Sequence, residues 1–187
     1  MKSIFALALL LVLTVPGFSQ KRDVQFGIKA GVNLANFNDN VSTSGSRTGF
    51  HGGFLAHIHL SPNWAVQPEI LYSTQGAKMN GGHFEIDYIN VPMLVQYMFR
   101  SGFRIESGIQ LGLLTSAKFE EHDGDENNYR NDFNSSDISL PIGVGYITPT
   151  GLGFDVRYNL GLTDITKGGG DVKNRVWQMG MFYQFRK

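Results

Sequence analysis

From Val24 onward the chain is built on a period of two, and that period limits what it can become. Val24, Phe26, Ile28, Ala30, Val32 and Leu34 take one parity; Gln25, Gly27, Lys29, Gly31 and Asn33 take the other. Alternation over this length puts every apolar side chain on one face of a strand and cannot form a helical stripe. The pattern recurs seven more times. Its apolar members run through Phe50 to Leu60, Trp64 to Tyr72, Ile89 to Phe99 and Phe103 to Leu113. They continue through Ile138 to Tyr146, Leu152 to Leu162 and Trp177 to Phe185. Eight strands are expected.

The links between them alternate in length. Ser61-Pro62-Asn63, Arg100-Ser101-Gly102 and Pro149-Thr150-Gly151 carry turn chemistry, whereas the stretches 38–49, 76–85, 117–137 and 164–174 are longer and polar. Strictly alternating short and long links place all long loops at one end of an antiparallel meander. The expected fold is all-β: an eight-stranded antiparallel up-and-down transmembrane β-barrel with short periplasmic turns and four longer extracellular loops.

Which face meets the surroundings follows from volume and charge. An eight-stranded barrel has an interior just wide enough for side chains to fill. The many Phe, Tyr, Trp, Ile, Leu and Met residues of the apolar parity cannot all point inward. Glycines and short polar groups of the other parity can. Lys29, Glu69, Arg104, Glu106, Asp155, Arg157 and Arg186 all fall on that second parity. A water-soluble barrel would carry its charges outside; a lipid-facing Arg or Lys costs about 2–4 kcal/mol at the bilayer midplane. Two aromatic girdles are expected, one of Phe26, Trp64, Phe99, Phe103, Tyr146, Tyr183 and Phe185. The other, at the long-loop end, comprises Phe50, Tyr72, Tyr88 and Trp177.

Residues 1–19 read as a secretory signal peptide: Lys2, an apolar run over 4–15, and small residues Gly17 and Ser19 before the cut. The run is too short for a spanning helix. The mature domain is then 20–187, a single barrel. Sixteen basic against sixteen acidic residues remove the case for nucleic-acid binding, and zero cysteines exclude disulfides and a thiol nucleophile.

Pro68, Pro92 and Pro141 fall inside strands, where a closed barrel has no free edge to excuse a missing donor. For Pro92 the apolar parity flips between Tyr88 and Ile89, which reads as a β-bulge. The sequence offers no account of the other two.

The segment Asp87-Tyr88-Ile89-Asn90-Val91-Pro92-Met93-Leu94-Val95-Gln96-Tyr97 resembles a proline-bearing motif of the PorT-like outer-membrane β-barrel family of Bacteroidota. Gly27-Ile28-Lys29-Ala30-Gly31-Val32-Asn33 resembles its opening strand, and stretches 107–114 and 157–162 are similar to later segments. The resemblance implies an integral outer-membrane barrel, held in outer-membrane lipid. A founding member linked to secretion and gliding suggests envelope or secretion proteins as partners. It implies no catalytic residue.

Candidate sites follow from the inner parity. Lys29, Glu69, Arg104, Glu106, Asp155, Arg157 and Arg186, with His57 and His59, are expected to form a paired polar network filling the lumen rather than a pore lining. His51, His57 and His59 share one face, but beyond Glu69 no third zinc ligand is evident. Asp123-x-Asp125-x-Asn127 echoes a calcium loop, yet Asn128 and Asn134 stand where its glycine and glutamate belong. Gly168-Gly169-Gly170 lacks the following Lys-Ser/Thr of a phosphate cradle. Loop residues His83, His122, Ser44, Ser46, Ser135 and Ser136 form no catalytic motif. No cofactor, metal or catalytic residue is expected. The function expected is non-enzymatic: structural, adhesive, or accessory to envelope or secretion machinery. The alternative is a secreted soluble barrel that binds a hydrophobic ligand.

Overall fold

The computed structural model describes residues 24–38, 42–121 and 126–185. Residues 1–19, expected to be a signal peptide, and His122, Asp123, Asp125 and Arg186 lie outside them. The strands are β1 (Val24–Phe37), β2 (Gly45–His59), β3 (Trp64–Met79), β4 (Gly82–Met98), β5 (Phe103–Glu121), β6 (Glu126–Asn128), β7 (Ser136–Ile147), β8 (Leu152–Gly161) and β9 (Asn174–Gln184). Each long strand pairs antiparallel with its neighbours, β1 closes on β9, and β4 pairs with β5 along its whole length. Eight strands form the closed barrel. The three-residue β6 pairs only with β5, above the barrel wall.

The short links are tight turns. Gly102 and Gly151 adopt φ of 91° and 92°, which side-chain-bearing residues avoid. Their N–H groups bond Phe99 O and Thr148 O at 3.0 and 3.1 Å. The link expected over 76–85 is not a loop. β3 and β4 run on beyond the apolar belt and turn only at Asn80-Gly81.

Phe26, Phe54 and Ile109 are 65%, 70% and 62% exposed, while Arg104 and Arg157 are 2% and 0% exposed. The apolar parity therefore looks outward, and a contiguous belt of this kind is what a bilayer covers. It leaves the soluble-barrel alternative without a polar outer face. The first girdle is exposed at every expected position.

One girdle member, Tyr88, is buried at 1%, and the reason corrects the expected bulge. β4 alternates without interruption. Its inward residues are Ile86, Tyr88, Asn90, Leu94 and Gln96; its outward ones are Glu85, Asp87, Ile89, Met93 and Val95. What changes at Tyr88 is the surroundings. Below it the outside is lipid and the inside polar; above it the outside is water and the inside apolar. The inversion of solvent, not a slip of the backbone, flips the pattern. The bulge sits on β5 instead, where Asp87 opposes Ser116 and Tyr88 opposes Leu114, leaving Thr115 extra. Thr115 Oγ1 donates to Asp87 O at 3.0 Å, and Arg130 donates to the carbonyls of Leu114 and Thr115.

The three prolines share one solution. Pro68, Pro92 and Pro141 keep register with Met93, Gln110 and Asn159 on one side. On the other side, pairing skips two residue pairs beside each proline, between β2 and β3, β3 and β4, and β5 and β7 respectively. The missing donor is thus absorbed by a local gap in one ladder. Ser107 Oγ fills part of one gap by donating to Pro141 O at 3.0 Å.

Candidate functional site

Inward positions of seven strands converge on the barrel axis, so charges far apart in sequence meet. Arg157 on β8 is the centre. Its Nη1 and Nη2 donate to Glu69 Oε2 and Oε1 at 3.0 and 3.1 Å, and its Nε donates to Glu106 Oε1 at 2.9 Å. Gln67 Nε2 donates to Glu69 Oε1 at 2.8 Å, and Gln96 Nε2 to Glu106 Oε2 at 2.7 Å. Lys29 Nζ meets Asp155 Oδ2 at 2.7 Å with both side chains buried. Arg104 lies 4.2 Å over the Phe182 ring and reaches Gln96 Oε1 at 3.4 Å. Three cations and three carboxylates therefore balance one another across the lumen. Charges shut away from water persist only in such compensated sets.

His57 bonds Gln67 Oε1 through Nδ1 at 3.2 Å, below this layer. His59 is only half-buried at the end of β2 and stacks edge-on against His57 with centroids 4.6 Å apart. His51 lies above, its Nδ1 2.8 Å from Asn33 Oδ1. The three histidines thus do not converge: His51 bonds Asn33, while His57 and His59 share a strand end.

Sequence reasoning missed two groups here. Phe182 is buried as the platform under Arg104, although its parity should have placed it inside. Asp137, expected at the end of a loop, is the second residue of β7 and only 7% exposed. Around it Asn90, Gln110, Asn159 and Asn174 each carry a buried side-chain atom with no hydrogen-bond partner among the described residues.

Above this polar layer the lumen ends in an apolar cap. Phe37, Ala77, Ile86, Tyr88, Leu114 and Ala117 from the walls pack with Phe133 and Ile165 from the loops. The loops are sewn down by backbone. Asn134 Nδ2 donates to Asp164 O and Thr166 O, Asn38 Nδ2 to Asp171 O, and Ile165 N to Val172 O. Phe84 sits among Phe37, Phe119, Tyr129 and Phe133, with centroids 4.9–6.4 Å away. Beside it opens a largely apolar cleft of about 390 Å³, with Lys167 and Asp132 among its lining residues.

No hydrogen bond joins a serine to a histidine among the described loop candidates. His83 meets Glu120 rather than a serine, at 3.3 Å.

Comparison with known proteins agrees with this geometry. A family model described as "Outer membrane protein beta-barrel domain" matches residues 18–167. Among solved structures, Ail, the attachment invasion locus protein of Yersinia pestis, superposes with a TM-score of 0.56 at 15% identity, covering 87% of this chain and 99% of that one. Neisserial surface protein A gives 0.57 at 20% identity, with the same coverages. At these identities the likeness is one of fold. The sequence matches no curated protein.

Proposed function

The chain belongs to the outer membrane protein beta-barrel domain family, and from that premise we propose that it is a non-conducting, non-enzymatic anchor displaying a folded outer platform. Its role is structural, adhesive, or accessory to envelope or secretion proteins. One observation carries this reading: the lumen is obstructed twice, by the Arg157–Glu69–Glu106 and Lys29–Asp155 pairs and by the apolar cap above them. A conduit would have to break buried ion pairs and a hydrophobic core for each solute that passes. The cap instead commits its loops to a defined shape with an apolar cleft, which suits recognition of a partner.

The PorT-like affiliation belongs to the same reading. It is supported by the segment 87–97, where Pro92 has its own ladder gap and Tyr88 roofs the polar lumen. Planar-bilayer recording of the purified protein tests the anchor. No steady conductance is expected; sustained nanosiemens steps would show an open lumen and refute it.

A further inference from the structure

The β4–β5 ribbon rises above the apolar belt, and its outward face there is polar. His83 stands directly opposite Glu120 in register, and Glu85 follows His83 by two residues on the same face. One donor atom from each of the three lies within 4.8 Å of the other two, and all three side chains are half-buried. We propose that His83, Glu85 and Glu120 form a zinc site on the outer flank of this ribbon.

The spacing fits the ion. Imidazole nitrogen and carboxylate oxygen bind zinc at about 2.0–2.2 Å in tetrahedral geometry, which separates two ligand atoms by about 3.4 Å. His83 Nε2 and Glu120 Oε2 are 3.3 Å apart with no ion between them. Glu85 offers an oxygen within 4.8 Å of both ligand atoms. Arg47 Nη2 holds Glu85 Oε1 at 2.6 Å. A carboxylate has two oxygens, and a partner on one orients the other toward the metal. Lys118 stands opposite Glu85, so the ribbon also carries positive charge that lowers affinity without removing a ligand.

The donor set selects the metal. Calcium and magnesium take oxygen ligands, whereas an imidazole with carboxylates suits zinc. Three protein ligands leave a fourth position open. A cleft of about 390 Å³, lined by Ser44, Lys78, Gly82, His83, Glu120 and Glu121, opens beside the pair and admits a water or an external donor to that position.

The test uses the whole protein, folded in detergent micelles and freed of metal, titrated calorimetrically with zinc chloride. One equivalent should bind saturably. H83A and E120Q should each weaken binding by about tenfold or more, while H122A and H59A leave it unchanged and calcium does not compete. Cobalt(II) added to the unaltered protein should give the strong visible absorption of tetrahedral coordination, a readout that needs no variant. Absence of saturable zinc binding, an isotherm indifferent to both H83A and E120Q, loss only in H122A or H59A, or a purely octahedral cobalt spectrum would each overturn the assignment.

Discussion

Arg157→Met removes a cation that serves two carboxylates, and its cost follows from the contacts. The guanidinium is fully buried and donates to both oxygens of Glu69 and to Glu106. Removing one partner of a buried ion pair costs about 3–5 kcal/mol, because the other charge is left uncompensated. Two carboxylates are stranded here, which favours the upper end. Each keeps an amide donor, Gln67 or Gln96, so the cost does not double. About 4–5 kcal/mol is expected, roughly a thousandfold in the unfolding equilibrium at about 1.4 kcal/mol per decade.

The second variant separates charge balance from packing. R157M/E69Q leaves Lys29 and Arg104 against Glu106 and Asp155, and should regain about 2 kcal/mol by restoring neutrality. Urea unfolding of the barrel in lipid vesicles reads both, followed by the fluorescence of Trp64 and Trp177, which face outward. Heat-modifiable gel migration gives the folded fraction independently. An R157M stability within about 1 kcal/mol of the parent would refute the reasoning, since water would then be solvating the lumen charges. So would an E69Q loss that simply adds to that of R157M, because coupled groups do not add.

Two further outcomes follow from the same geometry. Phe54→Lys, at the most exposed apolar position in the strands, should cost about 2–4 kcal/mol in lipid vesicles, and Thr115→Lys, outward but above the belt, only the about 0.5–1.5 kcal/mol of the hydrogen bond its hydroxyl makes to Asp87 O; equal costs in that unfolding assay would remove the lipid-facing assignment. Hydrogen bonds to Asp164 from the backbone N–H of Thr166 first, then from the Thr166 hydroxyl and the N–H groups of Asp171 and Val172, hold its carboxyl below the ordinary value of 3.8. A depressed folded value means the loop's stabilisation is present above 3.8 and is lost as pH falls through the lower folded value. Amide exchange at Thr166 and Asp171 should therefore accelerate only in that acid window, and in D164A at every pH; a transition near neutrality would contradict it.

How much of this was legible in the sequence can be argued from single strands. On β1, Phe26, Ile28 and Val32 against Lys29 and Asn33 declare strand, face and environment together, because the period of a strand is two and a lipid-facing charge is costly. The inner charges Lys29, Glu69, Arg104, Glu106, Asp155 and Arg157 were visible as a set for the same reason. β4 shows where such reading fails. Its pattern inverts at Tyr88, and a parity count cannot tell a bulge from a change of solvent. Likewise Asp137 looked like loop, since nothing local marks a strand that outlasts the membrane.

Alternation, read with side-chain volume and charge, therefore determined the barrel, its outward face and most of the residues that fill it, since those depend on which side of each strand a residue occupies. Pairing across strands decided the rest. Arg157 meets Glu69 across 88 positions of chain, Ile165 and Phe133 meet beneath the same roof, and His83 meets Glu120 only through the register of one ribbon. Such contacts are set by closure of the sheet and by where the bilayer stops, and neither quantity is written in any single stretch of residues.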